Sequence, residues 1–168
     1  MRCEGCHNPD TWSRDGGTEV PVDEIISDML SNPLTDGLTL SGGEPFLQVA
    51  DCVKLASAAR GSGLNVWVYT GYTFEELLAR SESEEAANLP RNKTVGQAQG
   101  IVSENTLQKC GELNPKKIKE LINLTDILID GPFVLAERTL SQKWRGSRNQ
   151  RVLDVSKSIA AGKAVEIV

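Results

Sequence analysis

No hydrophobic run in the sequence approaches the ~20 residues needed to cross a bilayer. The opening MRCEGCHNPDTW also lacks the apolar stretch of a secretory signal, so we expect a cytosolic protein with no membrane partner. Basic residues are in deficit, with 18 Lys and Arg against 23 Asp and Glu and a formal net charge of −5. No global positive field therefore marks the chain for nucleic acid. Histidine occurs once, and cysteine only at positions 3, 6, 52 and 110, too few and too unevenly placed for a disulfide scaffold in 168 residues. Paired cysteines in a reducing cytosol more often bind metal or do redox work. The phosphate-cradling motifs GxxxxGKS/T and GxGxxG are both missing.

What is present suits a soluble globular chain, with 39% hydrophobic and 24% charged residues in a length that fits one domain, residues 1–168. The apolar spacing of Val22, Ile25, Ile26, Met29 and Leu30 predicts an amphipathic helix after Pro21. Leu38–Leu40 is a short β-prone run that opens into the turn Ser41-Gly42-Gly43-Glu44-Pro45. A helix over 47–60, a strand over 66–70 and a helix begun by a Thr73–Glu76 capping box follow. From about 80 to 114 the chain turns polar and aperiodic, which reads as an inserted loop or lid. Asn114-Pro115 then caps a helix, 126–130 is a nearly all-apolar strand, 151–155 is another, and a short helix stopping at Gly162 leads to an end strand over 164–168. Strands alternating with helices predict an α/β fold with a mainly parallel sheet, whose loops after the strands share one ligand-binding edge.

Two motifs carry chemistry. Cys3-Glu4-Gly5-Cys6 is a CxxC, which by itself fits half a zinc site, a thiol redox pair or part of an iron–sulfur site. The zinc reading is weakened because His7, Cys52 and Cys110 form no second close pair. The thioredoxin-like reading is weakened because only two residues precede the motif, leaving no room for a strand before it. The second motif is the glycine turn, which exposes backbone groups at the ligand edge together with one carboxylate, Glu44, able to meet an ammonium or a hydroxyl.

Taken in order, CEGCHNPDTW, LSGGEPF, VWVYTGYTFEEL, DILIDGPF and WRGSRNQRVLDV resemble blocks of the activating proteins of anaerobic ribonucleotide reductase, a radical S-adenosylmethionine (SAM) family. The blocks span most of the chain outside the 80–114 insert. The resemblance implies a partial (β/α) barrel that holds a 4Fe–4S cluster on three cysteines of a CxxxCxxC loop and binds SAM at the open iron. It further implies reductive cleavage of SAM to methionine and a 5′-deoxyadenosyl radical, which makes a glycyl radical on the partner, the anaerobic ribonucleoside-triphosphate reductase. The electron would come from a donor such as flavodoxin or ferredoxin. Cofactors carry that chemistry while the protein binds, orients and excludes water.

Matched to the family, Cys3 and Cys6 are the second and third cluster ligands, and Gly42, Gly43 and Glu44 form the turn that contacts the SAM amino group. Asp130 matches an acidic position near the SAM ribose, and Thr70 and Tyr72 are further strand-end candidates. Trp144, Arg145, Gly146, Ser147, Asn149 and Gln150 match a block that either packs the entry to the last strand or shapes the site or the reductase surface. The first cluster cysteine would fall two places before Met1, so the chain is expected to be N-terminally truncated, without the family's first strand and that ligand. Gly5 stands where many radical SAM enzymes carry an aromatic residue. Cys52 and Cys110 read as a buried hydrophobe or a surface thiol. Competing expectations are an activase for another glycyl radical enzyme, a non-catalytic SAM- or reductase-binding protein, and a CxxC thiol oxidoreductase.

Overall fold

Residues 3–5, 9–12, 17–82 and 114–167 are described by the structure, a computed structural model. Its centre is β2 (Asn65–Tyr69), where alternation sends the fully buried Val66 and Val68 to one face of the sheet and Trp67 and Tyr69 to the other. β1 (Gly37–Leu40) and β3 (Ile127–Asp130) flank β2 in parallel, and β4 (Arg151–Asp154) pairs antiparallel with β3. The order is β1-β2-β3-β4, the mainly parallel α/β sheet that the sequence indicates.

Five helices accompany it: α1 (Val22–Ser31), α2 (Val49–Gly61), α3 (Phe74–Glu82), α4 (Pro115–Leu124) and α5 (Val155–Ala161). Leu40, Val66, Val68, Leu128 and Leu153 from the strands share one core with Val53 and Ala56 of α2, Leu77 of α3 and Leu121 of α4. Ala56 and Ala59 are fully buried, and such small side chains allow the close approach of α2 to α4. Among the described residues no helix is long and apolar enough to cross a membrane.

Local signals hold where a side chain closes a backbone bond. The N–H of Thr73 donates to Glu76 at 2.8 Å, and the N–H of Glu76 donates back to the Thr73 hydroxyl at 3.2 Å, completing the capping box. Asn114 Oδ1 accepts from the N–H groups of Lys116 and Lys117, and Gly162 ends α5 with φ 63°.

Three expectations change. The helix expected over 47–60 is a 3-10 turn (Pro45–Gln48) followed by α2. The helix α3 runs to Glu82, and residues 83–113, nearly all of the polar insert expected over about 80–114, lie outside the described residues. Of the end strand expected over 164–168, the described residues 164–167 form none: Glu166 makes one bridge to Leu153 and two backbone bonds run alongside β4, too few for a ladder. On α1, Met29 packs against the core while Ile25 and Leu30 stay exposed, because this helix packs chiefly against α2.

Candidate active site

The carboxyl ends of β1, β2 and β3 lie at one edge, and because β4 runs the other way its first residue, Arg151, sits opposite Asp130 at the same edge. The loop before β4 therefore faces the same space as the loops after β1, β2 and β3. Between them lies a cavity of about 600 Å³, within the size range of sites for small ligands. Ser41, Gly42 and Gly43 line it from β1, Tyr69, Thr70 and Gly71 from β2, and Gly131 and Phe133 from β3. Arg138, Thr139, Leu140, Arg145, Gly146 and Gln150 close it from the β4 side, and Cys3 and Gly5 from the N-terminal loop.

Gly42 has φ 109°, and nothing lies within 4 Å of where a Cβ would be, so backbone conformation rather than space requires glycine there. Glu44 follows it but stands behind the wall. Its buried carboxylate accepts from the Thr70 hydroxyl at 2.8 Å, from the Gly71 N–H at 3.0 Å and from the Phe46 N–H at 3.3 Å. Burial pushes this carboxyl above its ordinary value, and the three donors pull it back part of the way. Glu44 thus fixes the shape of two cavity-lining segments, and the residues that meet the cavity are its neighbours Ser41, Gly42, Gly43, Thr70 and Gly71. Thr70 also accepts from the Tyr72 N–H at 3.1 Å; Tyr72 does not line the cavity, and its ring lies under the Arg80 guanidinium at 4.8 Å.

Asp130 is fully buried and likewise points away from the cavity. Its carboxylate accepts from the Phe74 N–H at the start of α3 (2.7 Å) and from Arg151 Nε (2.9 Å). Arg151 reaches on to Glu75, whose carboxyl it holds below the ordinary value. These bonds join the end of β3, the head of β4 and the start of α3, and the Gly131 N–H bond to Tyr72 O at 3.0 Å ties in the β2 loop.

Gln150 organises the loop before β4: its Oε1 accepts from the N–H groups of Gly146 and Ser147, and its Nε2 donates to Gly131 O at 3.1 Å. Residues of the tail block both pack and line the cavity. Gly146 and Gln150 bond within the loop and line the cavity, Arg145 lines it too, and Ser147 is buried beneath. Arg138, Thr139, Leu140 and Phe133 are cavity residues that the sequence reading missed; the run of basic residues from 138 to 151 was the available signal.

Of the thiols, Cys3 is half-buried and opens on the cavity, while Cys6, His7 and Cys110 lie outside the described residues. Gly5 has φ 71°, and a Cβ there would fall 2.6 Å from Leu135 Cδ1, which accounts for a glycine in this place. Cys52 is buried in α2 with its Sγ donating to Pro45 O, outside the cavity lining, and burial pushes its thiol up to about 11. Among the described residues no group of three His, Cys, Asp or Glu is assembled. The donor chemistry nevertheless suits iron and sulfur: a thiol of a CxxC faces a glycine-walled cavity that holds two guanidiniums and no carboxylate among its lining residues.

Comparison with known proteins agrees with this chemistry. The 4Fe-4S single cluster domain family matches residues 1–95 and 89–153. The chain is 30% identical over 158 residues to the anaerobic ribonucleoside-triphosphate reductase-activating protein of Escherichia coli K12, covering 89% of this chain and 79% of the relative. It is 26% identical to the protein of that name from enterobacteria phage T4, covering 90% and 75%. Over 91 residues it is 34% identical to the pyruvate formate-lyase-activating enzyme of Clostridium pasteurianum, covering 49% and 38%.

Proposed function

Given that the chain belongs to the 4Fe-4S single cluster domain family and to the family of anaerobic ribonucleoside-triphosphate reductase-activating proteins, we propose that it is a radical SAM activating enzyme. In this reading it cleaves SAM reductively and generates the glycyl radical of an anaerobic ribonucleoside-triphosphate reductase. The observation that carries the reading is that Cys3 of the CxxC and the Ser41-Gly42-Gly43 turn, 38 or more residues apart in sequence, open on one cavity. When bound, a 4Fe–4S cluster supplies the electron and SAM the carbon-centred radical.

The chain's own residues supply the site. Cys3 and Cys6 hold iron. The backbone of Gly42 and Gly43 receives the polar end of SAM, and Thr70 lines the adjoining wall. Glu44 and Asp130 serve from behind: Glu44 locks the two glycine segments to each other, and Asp130 with Arg151 locks β3, β4 and α3. Arg145 and Arg138 place positive charge where a carboxylate of the ligand is best met. An electron donor such as flavodoxin or ferredoxin delivers the electron in the cytosol.

The likeness to a pyruvate formate-lyase-activating enzyme over half of the chain favours a second reading, activation of another glycyl radical enzyme. The test is 5′-deoxyadenosine release after anaerobic reconstitution with iron and sulfide and reduction with dithionite. The 168-residue chain is run beside a version extended upstream to include the family's first cluster cysteine. Release from either, with a glycyl radical signal on the reductase, supports the proposal; a signal only on pyruvate formate-lyase supports the second reading. Release from neither, with no iron retained, overturns both.

A further inference from the structure

Residues 137–148, just before β4, fold back on themselves as a hairpin. Arg138 bridges Ser147, the Thr139 N–H donates to Gly146 O at 3.0 Å, and the Arg148 N–H donates to Glu137 O at 2.9 Å. Two large apolar residues flank its polar tip Ser141-Gln142-Lys143, with Leu140 90% and Trp144 56% accessible. In a chain of net charge −5, this segment carries Arg138, Lys143, Arg145 and Arg148 against Glu137 alone. Arg145 is engaged with Gln150 O and Glu166. Arg138, Lys143 and Arg148 are exposed, and among the described residues no carboxylate pairs with them.

The backbone adds an independent observation. Trp144 has φ 70°, the only positive φ at a non-glycine position among the described residues. Such a conformation costs an L-residue energy and persists only where its surroundings enforce it, most often at functional sites. Here Trp67 of β2 meets the indole edge-on, with ring centroids 5.1 Å apart and the planes at 66°. The result is a fixed Trp whose remaining surface faces solvent beside unpaired cations.

We propose that the 137–148 hairpin docks an acidic segment of a protein partner, with Leu140 and Trp144 as apolar anchors and Lys143 and Arg148 pairing with its carboxylates. The hairpin is also one wall of the cavity, through Arg138, Leu140 and Arg145, so a polypeptide that presents a residue to the cavity passes over it. Taking that polypeptide to be the reductase rests on the function proposed above. A short acidic segment fits better than a nucleic acid, because the basic patch is small, the rest of the chain is acidic, and Leu140 has no use against a phosphate backbone. Trp and Arg are also the residues that most often anchor protein interfaces.

The test uses Lys143→Glu with Arg148→Glu, neither of which lines the cavity, and separately Trp144→Gly, which removes the indole while glycine accepts the positive φ freely. Three quantities are read: 5′-deoxyadenosine release without partner, direct calorimetric binding to the reductase of the same organism, and the reductase concentration giving half-maximal glycyl radical. The charge-reversed variant should release 5′-deoxyadenosine like the unmodified protein, while its reductase affinity falls about tenfold or more and loses its dependence on salt. Trp144→Gly should weaken binding to a similar degree without a change in salt dependence. Unaltered reductase binding in both variants overturns the proposal. So does tight binding of a single-stranded DNA oligomer that the same substitutions abolish. Loss of 5′-deoxyadenosine release from the unmodified protein with charge-dependent reductase binding intact would strike the proposed function and leave the docking element standing.

Discussion

The Thr70 hydroxyl donates to the Glu44 carboxylate at 2.8 Å, across 26 residues of sequence and from one strand end to the next. Neither residue makes sense alone at this site: Thr70 lines the cavity, Glu44 does not, and the bond between them sets the spacing of the walls.

Glu44→Gln should therefore weaken the wall without removing a ligand-facing charge. Gln replaces one acceptor oxygen by a donor that opposes the Gly71 N–H or the Thr70 hydroxyl, at a cost of about 1–3 kcal/mol. The pH dependence identifies the cause. Burial raises the folded-state pKa above the unfolded one, so the folded protein holds this proton more tightly. The associated stability is present at low pH and is lost as pH rises from the unfolded value through the folded one. Denaturant melts taken from acid to neutral pH should show that loss in the unmodified protein and not in Glu44→Gln.

Arg151→Ala leaves Asp130 buried and unpaired, for which about 3–5 kcal/mol of stability should be lost. Arg151→Lys keeps the charge but not the fork that meets both Asp130 oxygens and Glu75, so it should recover less than half. Glu75 is half-exposed, and Glu75→Gln should cost only about 0.2–1 kcal/mol, an effect that vanishes as pH falls through its lowered pKa. Urea unfolding of the three variants gives the ranking.

Glycine substitutions should differ in sign. Gly42→Ala meets no atom within 4 Å but forces alanine to φ 109°, at about 1–3 kcal/mol, with SAM binding weakened. Gly61→Ala, at the end of α2 with ordinary φ and open space around it, should stabilise by about 0.4–1 kcal/mol. Thermal unfolding of the pair, with equilibrium SAM binding, checks both.

The cysteines should separate cleanly on reconstitution. Cys3→Ser should lose the brown iron–sulfur absorption and most of its iron, since a cavity-facing thiolate is replaced by a poor ligand. Cys52→Ala should keep both and lose only about 1 kcal/mol, because that thiol is protonated and packed in the core. Iron analysis with absorption spectra is sufficient.

Much of the fold was legible because its signals are local. Val66 and Val68 alternate with Trp67 and Tyr69, Asn114-Pro115 opens a helix, and Thr73 and Glu76 close a capping box, each decided by neighbours within a few residues. The end strand at 164–168 failed for the opposite reason. Its β-prone residues met the requirement for strand propensity, but a strand also needs a partner along its length, and β4 offers it only one bridge.

The candidate site divides along the same line. The sequence by itself determined the chemistry available: a CxxC, a Gly-Gly turn at a strand end, an all-apolar strand ending in Asp130, and a basic tail block. Only the tertiary structure decided which of these line the cavity. It turned Glu44 and Asp130 inward to hold the walls, brought Cys3 to the cavity and, by running β4 antiparallel, carried Arg138, Leu140 and Arg145 to the ligand edge. A carboxylate's role depends on which donors surround it, and Thr70 lies 26 positions from Glu44 while Arg151 and Phe74 lie 21 and 56 from Asp130, distances that no local pattern encodes.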